Sequence, residues 1–222
     1  GIGPLRTEGA QTLARDAAAE GAGGLLMAPV SYTPLTQEEA YQHDASVAAV
    51  TSLPLCIYNN PTTTHFSFGR ELLARLADVP NIAAIKMPAP AAGTVTQELA
   101  ELRNSPAGKL SIGYSGDWIA AEALLAGCDG WFSVLGGFLP QLAKALVRAA
   151  RAGDVASVNH YQKTLLPLWQ LFKEFGSLRV AYAATRFLGL ANAQPPLPIL
   201  PLSPQNQQRV IEALQACMDD CS

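Results

Sequence analysis

Charge is scarce in this sequence. Only 15% of its 222 residues are charged, and its 15 Lys and Arg and 18 Asp and Glu leave a formal charge of −3. The basic residues are scattered. They form no stripe of the kind that nucleic acid requires, and no cationic amphipathic stretch for a membrane surface. Long apolar runs are missing too, so nothing reaches bilayer length, and the N-terminus lacks a charged-then-apolar leader. These absences predict a cytoplasmic protein. Cysteine and histidine are few, four and three. Cys56, Cys128, Cys217 and Cys221 show no metal-ligand spacing with His43, His65 or His160, so no metal centre is expected. Cys217 and Cys221 lie four apart near the end of a predicted helix, where proximity alone brings them together; they are read as reduced thiols. What remains is apolar: 49% of residues are hydrophobic, enough for an extensive core and too many for a disordered chain.

The apolar residues alternate in blocks. Short runs recur at Gly24–Val30, Leu53–Asn59, Ile82–Met87, Leu110–Tyr114 and Gly130–Leu135, each followed by a helix-like segment rich in Ala, Leu and Glu. The runs are continuous, which predicts strands buried on both faces. Helix punctuation agrees. Thr36 and Glu39 have the spacing of a capping box opening a helix to about Val50, and a helix from about Thr7 stops at Gly21. Further helices are predicted in "FGRELLARLADVP", closed by Pro80, and "GDWIAAEALLAGCDG", closed by Gly127. Strand starts roughly 20 to 30 residues apart are βα units of a parallel sheet. No Gly-rich dinucleotide fingerprint opens a helix, so the α/β class narrows to a (β/α)8 TIM barrel.

After Gly153 the pattern becomes helical. "VASVNHYQKTLLPLWQLFKEF", "SLRVAYAATRFLG" and "SPQNQQRVIEALQACM" predict three helices, with the Pro-rich "AQPPLPILPLSP" before the last. The expected organisation is a barrel portion over 1–153 and a C-terminal helical extension over 154–222 packed on it. A full barrel takes about 250 residues, and the opening "GIGPLRTEGA" reads like the loop after a strand. Two or three N-terminal βα units are therefore expected to be absent.

Two strand ends carry chemistry. "LPLCIYNNP" ends in Tyr58 and "NIAAIKMP" in Lys86, and C-terminal strand ends form the active face of a parallel barrel, with neighbouring strands about 5 Å apart. Lys86 closes an apolar run, where desolvation favours the neutral, nucleophilic amine. The other four lysines, Lys109, Lys144, Lys163 and Lys173, sit in loop or amphipathic-helix contexts. The competing reading is a lysine that snorkels to solvent at the rim.

"IYNNP" followed by "AAIK" resembles the YNxP and GIK signatures of the dihydrodipicolinate synthase and N-acetylneuraminate lyase family. So do the initial "GIG", "YTPLTQEEAYQH", "LLAGCDGWFSV" and the helical tail, in order and at compatible spacing. The resemblance implies a class I aldolase in which Lys86 forms a Schiff base with pyruvate or a related 2-oxo acid. Tyr58 then relays protons as general acid and base. Ser115 or Gly116, and the backbone of Phe132, contact the bound oxo acid, and no cofactor is needed. Tyr32 falls near the tyrosine that family members lend to a neighbouring subunit, although "PVSYTPLT" carries a one-residue insertion relative to the usual paired-tyrosine version. His65 is a further substrate-contact candidate against a solvated loop His. Trp118 and Trp131 are read as packing residues, and Asp117 as a helix N-terminal carboxylate. Relatives are commonly tetramers built from dimers, which implies a homo-oligomeric dimer or tetramer.

Departures from the family pattern shape the substrate. Lysine-pathway synthases carry an Arg two residues after the YNxP proline, to hold the aldehyde's carboxylate; here that position is Thr63. A hydroxyl does not replace a bidentate cation. The expected partner is a hydroxylated or neutral aldehyde rather than the lysine-pathway one. The usual acidic residue after the Schiff-base lysine is replaced by Met87 and Pro88, and the paired Thr that bind the oxo-acid carboxylate lie outside this sequence. Two alternatives stand beside the aldolase: a dehydratase of a 2-keto-3-deoxy sugar acid working through the same imine, and a non-catalytic oxo-acid-binding or decayed barrel.

Overall fold

A computed structural model describes residues 1–219, so Cys221 and its expected proximity to Cys217 lie outside the described residues. The chain divides into two compact units. Among the described residues the first comprises 1–115 and 126–131, the second 116–125 and 132–219.

The first unit is built on a parallel sheet. Its strands are β1 (Leu25–Met27), β2 (Leu55–Tyr58), β3 (Ile82–Met87), β4 (Ser111–Ser115) and β5 (Gly130–Phe132, whose last residue belongs to the second unit), in the spatial order β1-β2-β3-β4-β5. An unbroken sequential order is that of a (β/α) barrel wall; a doubly wound sheet would reverse direction at a switch point. Helices α1 (Thr7–Ala19), α2 (Gln37–Ala48), α3 (Pro61–Thr64), α4 (Arg70–Leu76) and α5 (Val95–Arg103) fill the crossovers. The capping box forms as read: Thr36 Oγ1 accepts from the Glu39 amide at 3.2 Å, and the Glu39 carboxylate accepts from the Thr36 amide at 2.7 Å. The α1 stop is Gly21, at φ 79°. α3 was not legible, because four residues are too few to show a helical period.

The strands are not buried equally on both faces, contrary to expectation. Register pairs Met27 with Ile57, Ile57 with Ile85, and Ile85 with Ile112, and all four are at most 1% exposed. Alternate residues point the other way. There Leu26, Cys56, Tyr58, Ala84 and Lys86 are only half-buried. Runs of apolar residues read as doubly buried because Cys, Tyr and Ala do not break a hydrophobic run.

In the second unit, α6 (Ala120–Leu125) and α7 (Pro140–Arg151) precede α8 (Val155–Phe175), α9 (Ser177–Phe187) and α10 (Pro204–Asp219), the three helices read from the sequence. The α8 helix continues through Pro167. Its buried Leu165, Leu168, Trp169 and Phe172 form the centre of this unit, with Leu146 of α7, Val180 of α9, and Val210 and Leu214 of α10 also buried. The Trp169 indole donates to Gln162 Oε1 at 3.3 Å. No helix among the described residues is long and apolar enough to cross a membrane.

Candidate active site

Tyr58 and Lys86 meet. They are register partners at the C-terminal ends of β2 and β3. Both side chains therefore leave the half-buried face at the same height, and Lys86 Nζ lies 3.8 Å from the centroid of the Tyr58 ring. A cation over a tyrosine face is attracted by the ring quadrupole. The contact brings the amine against the ring at the two strand ends. On the other flank Lys86 is paired with Gly113 of β4, which has no side chain to crowd the amine. The Asn59 amide donates to the Lys86 carbonyl at 3.0 Å, tying the two strand ends together just past Tyr58 and Lys86.

Ser115 ends β4, and its hydroxyl donates to the Met87 carbonyl at 2.9 Å. In that arrangement Ser115 Oγ has lone pairs, not a proton, to present to a ligand. Thr63 sits in α3, exposed, with its hydroxyl oxygen accepting from Asn60 Nδ2 at 3.0 Å. Tyr32 lies in the loop after β1 and is 97% exposed, away from any hydrogen bond within the described chain. His65 follows α3, exposed, in the left-handed conformation at φ 54°. The structure thus joins Tyr58 to Lys86, with Ser115 adjoining through Met87, and leaves Thr63 and Tyr32 outside that contact.

Gly116 and Phe132 belong to the second unit. Gly116 has φ 90°, which excludes most side chains. Phe132 ends β5, half-buried. Asp117 is not simply a helix N-terminal carboxylate. It is 2% exposed, and its carboxylate accepts from the Val134 amide at 3.0 Å and the Leu135 amide at 2.8 Å, so it fastens the turn that follows β5. Two unpaired donors at a turn attract a carboxylate as strongly as a helix start does. Trp118 and Trp131 are half-buried; Lys173 Nζ lies 5.4 Å from the Trp118 ring centroid.

Cys56 was missed as a site neighbour. It stands two residues before Tyr58 on the same face, and counting by two from Tyr58 finds it. Burial pushes its thiol up to about 11, against the opposing charge and backbone of Lys86, so it stays protonated and is no nucleophile at neutral pH. On the opposite face Asn59 and Met87 help line a cleft of about 450 Å³ with Arg70 and Glu98, and Lys86 is not among its walls. No cluster of three metal-ligating side chains occurs among the described residues.

A family model described as the dihydrodipicolinate synthetase family matches residues 1–217. The 4-hydroxy-tetrahydrodipicolinate synthase of Moorella thermoacetica is 32% identical over 216 residues, 97% of this chain and 72% of that protein. The protein of the same name from Acidovorax sp. is 36% identical over 219 residues, covering 97% and 72%. The crystal structure of a dihydrodipicolinate synthase from Agrobacterium tumefaciens is 58% identical and superposes with a TM-score of 0.95, over 98% of this chain and 73% of that one.

Proposed function

The chain belongs to the dihydrodipicolinate synthetase family, and from that premise we propose that it is a lyase working through an imine between Lys86 and pyruvate or a related 2-oxo acid. The family membership makes it a class I lyase; the imine, its residues and its substrates are the reading advanced here. The observation that carries the reading is the stacking of Lys86 Nζ on the Tyr58 ring at paired strand ends.

In this reading the neutral Lys86 amine attacks C2 of the oxo acid, and with one proton taken up from solvent the former carbonyl oxygen leaves as water, giving a protonated imine. That iminium is a cation where the ammonium was, so the ring face that holds Lys86 also stabilises the intermediate. For cleavage, the electrons of the C3–C4 bond flow into the iminium while the Tyr58 hydroxyl relays a proton, taking that of the C4 hydroxyl as it passes its own to solvent. An aldehyde departs and an enamine remains. Protonation at C3 and hydrolysis by one water return pyruvate and free Lys86. Condensation is the same path reversed.

For the aldehyde we favour a hydroxylated or neutral compound over the carboxylated aldehyde of lysine synthesis, although the relatives are named for that synthase. Support comes from the segment after Tyr58. Between Asn59 and Gly69 there is no Lys or Arg, and Arg70 is ion-paired with Glu101. A second carboxylate would meet hydroxyls and amides there, which hold it less well than a guanidinium. We expect the active form to be a homo-oligomer, with the exposed Tyr32 offered to a neighbouring copy.

Borohydride reduction in the presence of pyruvate, followed by peptide mapping, tests the imine. A pyruvate-derived mass on the Lys86 peptide alone is the expected result, and a folded protein with no adduct sinks the reading. Product analysis then separates cleavage, which yields two carbonyl fragments, from dehydration, which keeps the carbon skeleton whole.

A further inference from the structure

The cleft of about 450 Å³ between α4 and α5, behind the face that presents Lys86, holds polar groups that the fold leaves unpaired. Asn59, in its wall, is 7% exposed, and its Oδ1 is buried with no hydrogen-bond partner among the described residues. The orientation of that amide is set by its neighbour. Nδ2 lies 3.9 Å from Met87 Sδ, and a thioether accepts but cannot donate. A buried carbonyl oxygen without a donor is destabilising and uncommon. Glu98, half-buried on α5, is the second such group. Its Oε1 accepts from the Tyr114 hydroxyl at 3.0 Å, and no cation pairs with it among the described residues. Register sets Met87 beside Tyr114, so Asn59 and Glu98 flank Met87. Other donors in the wall are engaged: Arg70 is ion-paired with Glu101, Gln97 Nε2 donates to Glu101 at 2.9 Å, and the Thr94 hydroxyl donates to the Ala91 carbonyl at 2.8 Å.

We infer that this cleft is a binding site for a primary aliphatic ammonium, whose N–H groups hydrogen-bond Glu98 and Asn59 Oδ1 and whose hydrocarbon chain lies on Phe68, Leu73, Met87 and Leu102. What the wall leaves free is acceptors, and an ammonium carries three donors and no acceptor. A hydrogen bond from a cation to a half-buried carboxylate is about twice as strong as one between neutral groups. The four apolar side chains are each at most 9% exposed and belong to the same cleft, so a chain attached to the ammonium leaves water as it enters. A hard metal ion does not suit the place, because it needs about six oxygens and here a thioether separates the two free ones. The site is distinct from the imine chemistry: Lys86 is not in its wall, and nothing in the recognition calls for a carbonyl.

The test is direct because the chain has three methionines. Protein with 13C-methyl methionine shows three methyl resonances, and the volume-conserving Met87→Leu identifies the one from Met87. Pentylamine at pH 7 is expected to shift that resonance with a Kd of about 1 mM, the affinity of a small fragment. The resonance of Met27, 0% exposed, stays in place. Pentanol has the chain without the charge, and pentyltrimethylammonium has the charge without N–H donors; each is expected to bind at least about tenfold more weakly. Glu98→Gln keeps an acceptor for Tyr114 and weakens pentylamine at least about tenfold. Asn59→Leu removes the unpaired oxygen, weakening pentylamine about fivefold while the urea midpoint stays at or above that of the parent protein. A Met87 resonance unmoved at about 50 mM pentylamine overturns the inference. So does pentanol binding as tightly as pentylamine, or an affinity unchanged in Glu98→Gln, since either leaves only an apolar cleft. Pentylamine has no carbonyl, so these outcomes are independent of whether borohydride traps pyruvate on Lys86.

Discussion

The two faces of the parallel sheet come from the same few residues and do different work. On one face Met27, Ile57, Ile85 and Ile112 pair across four strands with almost no exposure. Each such side chain contributes about 1.5–3 kcal/mol by leaving water. On the other, one residue along each strand, Tyr58 and Lys86 stand half-buried and touching. In the proposed function, strand alternation separates stability from chemistry by a single step in sequence, with Ile57 beside Tyr58 and Ile85 beside Lys86. The difference teaches that a residue's burial, not its neighbours in the chain, decides which function a substitution damages.

The sharpest test of that division is Lys86→Ala. Activity is expected to fall by at least about 10⁴-fold, because no other group supplies the covalent intermediate. The urea midpoint is expected to stay near that of the parent protein, since the side chain lies on the half-buried face. Loss of fold together with loss of activity would break the comparison.

A second substitution addresses a functional group on the buried side. Asp44 of α2 is 0% exposed, and neither carboxylate oxygen has a hydrogen-bond partner among the described residues. Burial pushes its carboxyl from 3.8 up to about 8. The folded state therefore holds the proton that an unfolded chain releases at neutral pH. Its contribution is fully present below pH 3.8, declines as pH rises, and is lost once pH passes about 8. At pH 7 holding that proton costs on the order of 4 kcal/mol. Asp44→Asn is expected to recover most of this at pH 7 and almost none at pH 4, as read by urea unfolding at the two pH values. The neighbouring His43, whose Nε2 is buried and unpartnered, is shifted down by burial and so adds stability as pH rises through 6.5. That opposite slope remains in the variant. An unchanged difference between pH 4 and pH 7 would show that water reaches Asp44.

Ile85→Ala reverses the Lys86 experiment from the adjacent residue. Removing three methyl or methylene groups from a side chain 1% exposed costs about 3 kcal/mol and lowers the urea midpoint. Below the transition, kcat per folded molecule is expected to remain within about threefold of the parent. A collapse of kcat in folded protein would mean that strand packing and the amine's position are coupled more tightly than alternation suggests.

How much of this was legible in the sequence varies with the kind of signal. The β3 run Ile82–Met87 and the helix Val155–Phe175 coincide with the structure residue for residue, because composition changes sharply at both ends. The capping box was legible because its two partners are three residues apart. The run Gly130–Leu135 was read too long, since Val134 and Leu135 are apolar but turn away behind Asp117. Lys86 and Tyr58 were legible from strand ends and their contact from register. The hydroxyl bond of Ser115 to Met87, the left-handed turn at His65 and the unpaired Asp44 were not. Each depends on contacts between distant segments or on one backbone angle, and no periodicity encodes them.

The smallest effect, Tyr58→Phe, separates two roles of one side chain. Phenylalanine keeps a ring under Lys86 Nζ, so the contact at 3.8 Å and its support for the iminium survive. Only the hydroxyl is lost, and with it the group proposed to relay the C4 proton. Proton transfer by a placed side chain contributes about 10²–10⁴-fold, and a water admitted to the vacated corner recovers part of that. We expect kcat for cleavage to fall about 10²-fold while borohydride still traps pyruvate on Lys86 in high yield. If trapping falls as steeply as turnover, the hydroxyl is needed to form the imine itself, and the ring alone does not prepare Lys86. If neither changes, Tyr58 belongs with the packing side chains, and the half-buried face holds one reactive group rather than two.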